Sequence, residues 1–422
     1  MKQNIIFMKN IRINKFIILH TLVIFATVIT SCLSDKQSVN SITIVPGEQV
    51  KTYGFADTGE MKYGSNNFIL IDDKTYPDMN SKVEAFRVAV SGNNFVIIDG
   101  DIDLSCGKIT DEDHGYFDEF NTDNTPKHKN FVVTIGSNTT LIGMETARIM
   151  YGSLLIHDEQ NIIIQNISFY DAHGAPEQNP KINKETKCSA DNISAEKVKN
   201  LWIDHCSFAD GKCVDVYGTY HDGAVDIKSG KNITISYCYF TNHDKVMLLT
   251  PSDDFTDKTN VYLTLHHNYF NKIVQRAPRA RRATVHAYNN LYENIGYGRD
   301  FGYSLGIGIG SNFIVENNYF GKHKSGIICW FDKSDINDKN SSKLYYHGNL
   351  PNLKNKNSIY SEIDKMKDYK LHVKKEKMYD IPYTYELESV KEIKKNLKYF
   401  AGANKKVEIL TEDRGDSNNH EL

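Results

Sequence analysis

A short phrase that pairs asparagine with a closing aromatic returns six times along this chain, and nothing else in it constrains the fold as strongly. It reads Asn161-Ile-Ile-Ile-Gln-Asn-Ile-Ser-Phe169, then Asn200-Leu-Trp-Ile-Asp-His-Cys-Ser-Phe208, then Asn232-Ile-Thr-Ile-Ser-Tyr-Cys-Tyr-Phe240. Shorter copies end at His267-Asn-Tyr-Phe270, Asn289-Asn-Leu-Tyr292 and Asn317-Asn-Tyr-Phe320. The closing aromatics are 39, 32, 30, 22 and 28 residues apart. A unit this short cannot bury a core alone, so copies must stack. Alternating β-branched and polar residues make each copy a strand, and turn residues separate the copies. Unequal spacing around a constant phrase means loops of different length leaving a constant coil, with the 22-residue interval nearest the bare rung. The expected architecture is all-β, a parallel β-helix with long loops. Leucine-rich repeats are excluded because no Leu-x-x-Leu-x-Leu period occurs.

Two places before the closing aromatic stand Cys206, Cys238, Asn268, Asn290 and Asn318. Stacked rungs align these positions into an internal ladder in which asparagine amides bond one above the next. Cys206 and Cys238 then read as small buried fillers, not as a disulfide. A short helix is expected over residues 78–90, with Val83, Phe86, Val88 and Val90 apolar and Asn80-Ser81 as its cap. Residues 333–380 read as a long surface excursion within a single domain spanning 61–402. The charged stretch 403–422 reads as a disordered tail.

The N-terminus reads as an address. Lys2, Lys9, Arg12 and Lys15 precede an apolar run from Phe16 to Ile29, too short for a comfortable membrane span, which ends at Thr30-Ser31-Cys32. This resembles a bacterial lipoprotein signal over residues 1–32, with Cys32 the lipidated residue and 33–60 a tether. The expected location is outside the cytoplasm, anchored to a membrane by lipid or else secreted.

With 50 basic and 53 acidic side chains the net charge is −3, which argues against a nucleic-acid binder. Charge is concentrated locally instead. Four of the nine arginines fall in Arg276-Ala-Pro-Arg279-Ala-Arg281-Arg282, where Pro278 rules out a regular central strand. Guanidinium forks suit carboxylates or phosphates, although such a patch can also neutralise an acidic loop. The opposing cluster is His221-Asp222-Gly-Ala-Val-Asp226, with Asp191 placed 31 residues before Asp222, close to one rung. Asp222 and Asp226 are an even number apart and face one side of an extended chain. Three hard oxygen donors suit calcium; aspartates also cap turns, and spacing alone leaves both readings open.

Taken together, Asn200-Leu-Trp-Ile-Asp-His205, Asp222-Gly-Ala-Val-Asp226-Ile-Lys-Ser-Gly, and Arg276-Ala-Pro-Arg-Ala-Arg281 with Val285-His-Ala-Tyr-Asn-Asn-Leu-Tyr resemble the pectate lyases of polysaccharide lyase family 1. The resemblance covers roughly residues 90–320 and returns at Pro382-Tyr-Thr-Tyr and Ala401-Gly-Ala. It implies a right-handed parallel β-helix, a monomer, and Ca2+-dependent β-elimination on an acidic polysaccharide, homogalacturonan (pectate). It implies Asp191, Asp222 and Asp226 as calcium ligands, Arg276 as the base, and Lys245 and Arg281 as substrate contacts. Asp204 and His205 match a motif that is structural in the family. Ser189 stands where many members carry a further aspartate, which points to calcium recruited together with substrate. A free guanidinium titrates above about 12, and cationic neighbours favour the neutral base, so activity is expected to rise into alkaline pH. The alternatives are a calcium-independent pectin lyase on methyl-esterified chains and a non-catalytic glycan-binding β-helix. A polygalacturonase would hydrolyse with paired carboxylates and leave the arginine segment without a role.

Overall fold

The computed structural model describes residues 41–107, 109, 131–172, 190–211, 221–352 (save 256, 258–259, 336–337 and 339–340), 359–360 and 373–410. Cys32, Cys188, Ser189 and Cys213 lie outside them, as do residues 411–422 of the expected tail.

The chain winds into a right-handed parallel β-helix. Three parallel sheets of 8, 9 and 11 strands run the length of the coil, and between Phe95 and Trp330 each turn contributes one strand to each sheet in strict rotation. The repeated phrase is the passage from the 11-stranded sheet into the 8-stranded one. Leu201 and Ile203, Ile233 and Ile235, Leu263 and Leu265 alternate inward from it, fully buried. Its closing aromatics are in register, Phe169 on Phe208 on Phe240 on Phe270 on Tyr292 on Phe320. Successive ring centroids lie 5.0, 4.8, 4.9, 4.7 and 4.6 Å apart with the ring planes nearly parallel, the separation that one strand spacing imposes.

The residue before each ladder position turns the corner with positive φ: His205, Tyr237, His267, Asn289 and Asn317. Asparagine tolerates this conformation best. Where histidine or tyrosine occupies it, the rings stack on one another, His205–Tyr237 at 4.9 Å and Tyr237–His267 at 4.8 Å.

The expected ladder is present and one rung longer than the phrases suggest. Asn268 Nδ2 donates to Asn290 Oδ1 (3.0 Å), Asn290 to Asn318 (2.9 Å) and Asn318 to Asn349 (2.9 Å). Cys206 and Cys238 occupy the preceding rungs, buried and unbridged. A second ladder lines another corner, from Asn232 through Asn200 and Asn161 to Asn138 at 2.7–2.9 Å, all four with φ near 57°.

Helix α1, Met79–Ala89, closes the N-terminal end of the coil with Val83 and Phe86. Its cap is Asp78, whose carboxylate accepts from the Ser81 N–H at 2.9 Å, so the expected cap at Asn80-Ser81 was two residues late. Val88 is 70% exposed and lies off the buried face. A second helix, α2 (Val390–Phe400), was not anticipated. Ser389 caps it, accepting from Glu392 N–H, and Ile393 and Leu397 cover Tyr269 and Leu291 on the outside of the 8-stranded sheet.

Two boundary expectations are corrected. Within the supposed tether, Ser41–Ile44 is a strand, and it pairs in parallel with Lys406–Ile409 from the supposed tail. Both carry alternating apolar residues, and Ile42, Ile44 and Val407 pack with Trp202 and Ile163 on the outer face of the 11-stranded sheet. No helix among the described residues is long and apolar enough to cross a membrane.

Candidate active site

Most of the candidate residues lie at the corner where the chain passes from the 8-stranded sheet into the 9-stranded one: Lys245 closes a strand of the former, Asp226 lies in the latter, and Asp191, Asp222 and Arg276 fall just before its strands. Hydrogen bonding sets Asp191 level with Gly223 and Gly223 level with Lys245 on three successive rungs, and on the fourth Lys245 pairs Gln275, one residue before Arg276. Asn192 N–H donates to Gly223 C=O, Gly223 bridges Lys245, and Met247 N–H donates to Arg276 C=O at 2.7 Å. The rung interval here is 32 residues, as Ile193 pairs Val225. Asp191 therefore sits level with Gly223 and diagonal to Asp222, not beside it as a 31-residue interval implied.

Gly223 is what lets the acids meet. A side chain there would place its Cβ 2.4 Å from Asp226 Oδ1 and 2.9 Å from Asp191 Oδ1. Its backbone N–H donates to Asp191 Oδ1 at 2.7 Å. Beyond it the strand carries a bulge: the N–H groups of Ala224 and Val225 both bond to Val246 C=O, at 2.9 and 3.0 Å. The bulge turns Ala224 and Val225 both inward and leaves Asp226 outside, where its Oδ1 accepts from Leu248 N–H at 2.9 Å. Asp222 accepts from Lys245 Nζ at 2.7 Å.

The acids oppose one another. Burial, then Asp226 and Asp222, push the Asp191 carboxyl well above its usual range. Burial, then Asp222, push Asp226 up to about 7, although Leu248 N–H, Arg276 and Lys245 pull the other way. Among the described residues no three acidic, histidine or cysteine side chains already close on one metal-binding point, since Asp222 is turned to Lys245 and the other two each hold a backbone N–H. Buried carboxylates that repel fit a hard cation, which would relieve that repulsion.

The arginine segment divides in two. Arg281 Nε donates to Asp253 at 2.7 Å and its Nη1 to Thr250 and Pro251 C=O at 3.2 Å. Burial and then Arg279 hold its guanidinium below the ordinary value, opposed by Asp253. Arg282 donates to the Asp253 carbonyl. These two steady an acidic loop. Arg276 and Arg279 have no carboxylate within ion-pair distance among the described residues, and the Nε of each is buried without a partner. Arg276 has φ +62°, uncommon for a bulky residue. Ala277 N–H to Ser304 C=O, at 2.7 Å, holds the chain there.

Asp204 and His205 stand apart, on the 11-stranded sheet. Asp204 accepts from Gln165 (2.7 Å) and Ser236 (2.6 Å) and lies 2.6 Å from His205 Nδ1, all buried. This is a structural network. The sequence reading names Arg279 in the arginine cluster without a role of its own and gives Gly223 none; the only signal for Gly223 was its place between two aspartates.

Comparisons with known proteins point to one family. Residues 28–406 match the family model described as Pectate lyase. A pectate lyase of Bacillus subtilis is 39% identical over 44% of this chain and 48% of its own length. A pectate trisaccharide-lyase of Thermotoga is 40% identical over 38% of this chain and 41% of its own. The match thus spans about half the length of these first relatives, or less. The solved structure of a thermostable pectate lyase superposes with a TM-score of 0.65 at 28% identity, covering 85% of this chain and 98% of that one. On the family match over most of its length, the chain belongs to the pectate lyases, a family of polysaccharide lyases.

Proposed function

We propose that this protein cleaves polygalacturonate by β-elimination with calcium bound at Asp191, Asp222 and Asp226. The observation that carries this reading is one cluster on adjacent rungs: a guanidinium without a carboxylate partner, Arg276, next to the residue that pairs Lys245 and within electrostatic reach of mutually repelling carboxylates.

In a galacturonate unit the C5 proton lies beside the C6 carboxylate and is weakly acidic. Bound calcium would supply neutralisation of that carboxylate, stabilising the charge that develops as C5 loses its proton. Lys245 is placed to share a substrate oxygen once Asp222 turns to the cation. Arg276 faces the reacting unit and accepts the C5 proton; the electron pair left at C5 forms the C4–C5 double bond as the C4–O bond breaks, and the departing oxygen takes a proton from solvent, leaving a 4,5-unsaturated sugar. Arg281 offers its remaining nitrogen to a further substrate carboxylate, with Asp253 holding its orientation. We also propose that the chain is exported, is held to a membrane through lipidated Cys32, and acts as a monomer without nucleic-acid partners.

Ultraviolet absorbance of unsaturated product, followed on polygalacturonate at alkaline pH, tests the reaction. The expected outcome is a rise that requires calcium and disappears with chelator. Arg276→Lys should cut kcat by about 100-fold or more, in line with the loss of a positioned general base. Equal rates in chelator, with faster turnover of methylated pectin, would make it a pectin lyase instead. New reducing ends without absorbance would mean hydrolysis.

A further inference from the structure

Arg279 lies three residues beyond Arg276 on the same rung and has no role in the chemistry above. It occupies the outward row of Asp226, Leu248 and Gly306, pairing Leu248 on one side and Gly306 on the other. Its guanidinium carbon stands 3.8 Å from the centroid of the Phe331 ring, and Tyr303 meets that ring edge-on at 5.6 Å. Gly306 makes the seat possible. A Cβ there would come within 3.0 Å of Arg279 Cβ and Cγ and of Tyr303 Cε2. The guanidinium is thus seated over an aromatic ring, a contact that restrains the side chain without occupying its hydrogen-bond donors. Every other arginine contact in the segment goes to the Asp253 loop, and Arg279 has no ion pair or side-chain hydrogen bond among the described residues.

We propose that Arg279 is a specificity-determining contact that takes the carboxylate of a galacturonate unit neighbouring the one held against Arg276. The inference rests on the lyase reading for its ligand class. A pre-oriented fork binds a carboxylate through two parallel charge-assisted bonds, and it loses most of that on a methyl ester, which carries no charge. Arg279 therefore favours a free acid at its position, whereas the Arg276 site acts on the unit being cleaved.

The test is calorimetric titration, with calcium, of an oligogalacturonate as free acid and as methyl ester, in an Arg276→Lys background that suppresses turnover. Arg279→Gln should weaken binding of the free acid by about tenfold, the scale of one charge-assisted contact, and leave the ester within twofold. Arg279→Lys, which keeps the charge and loses the fork, should fall between. No loss on the free acid, or equal losses on both ligands, would overturn the proposal. The absorbance assay on the unsubstituted protein separates the two claims. If no unsaturated product forms but acid-over-ester preference depends on Arg279, the lyase reading fails and this contact stands.

Discussion

Asp226 is held in an environment that opposes its charge, and this links calcium, pH and stability at a single side chain. Its carboxyl is raised to about 7 from an ordinary 3.8, first by burial and then by Asp222. Between those values the folded chain keeps a proton that the unfolded chain has released. The folded state therefore binds more protons, and stability falls as pH rises through that window, with the full penalty present above it. Asp226→Asn removes the charge while its carbonyl oxygen can still accept from Leu248 N–H. In chelator at pH 8 the variant should melt higher than the parent, by about 1 °C per kcal/mol of repulsion relieved in a chain of this size, and its melting temperature should depend less on pH between 4 and 7. Added calcium should stabilise the parent more than the variant. Calorimetry across pH, with and without calcium, reads all of this. A variant that melts lower in chelator would mean the carboxylate is held by favourable contacts, and the electrostatic account would be wrong. The acids were legible in the sequence because they are charged types at rung spacing. Gly223 was not, because a missing side chain leaves no chemical signature until the neighbours that need its space are known.

Among the elements, the corner that carries the asparagine ladder shows what the repeat is for. Asn290 Nδ2 donates to both Leu265 C=O and Asn318 Oδ1 (2.9 Å each), while its own Oδ1 accepts from Asn268 N–H at 2.9 Å. Asn290→Ala would orphan several buried groups at once, at a cost of roughly 1–3 kcal/mol for each left without a partner. Urea denaturation should show a large fall in midpoint. The milder Asn290→Cys should fall less, because the chain itself uses cysteine at this position in Cys206 and Cys238. Equal effects would mean the ladder fills space and bonds little. This element could be read from the sequence because its side chains repeat. The bulge at Ala224-Val225 could not, because it is written in backbone hydrogen bonds. Helix α2 was hidden for a different reason: its apolar residues are few among lysines, and only Ser389-x-x-Glu392 ahead of Ile393 and Leu397 announced it.

For the molecule as a whole, a solenoid is held by contacts between adjacent rungs, and sequence-local reading suits it because each rung touches only its neighbours. The clasp of Ser41–Ile44 against Lys406–Ile409 is one exception, joining opposite ends of the described chain. Its two strands are four residues each, set among polar residues, so neither composition nor periodicity separates them from tether and tail. The partner that makes each one a strand is missing from any local window. Burial of Ile42, Ile44 and Val407 against Trp202 and Ile163 makes the clasp a lid on the outer face of the 11-stranded sheet, whereas the candidate catalytic residues lie where the 8-stranded sheet passes into the 9-stranded one. Val407→Asp puts an unpaired charge into that cluster and should destabilise by roughly 2–4 kcal/mol. The two tryptophans report on separate places, Trp202 beneath the clasp and Trp330 inside the coil. The variant should shift the Trp202 emission to the red at temperatures where Trp330 stays buried, which Trp330→Phe and Trp202→Phe versions of the protein resolve. Turnover below that first transition should match the parent, because the rungs that carry Asp191 to Arg276 do not depend on the clasp. If both tryptophans instead respond together and activity is lost with them, the clasp is part of one cooperative unit with the coil, and the two chain ends hold the active site as much as the stacked rungs do.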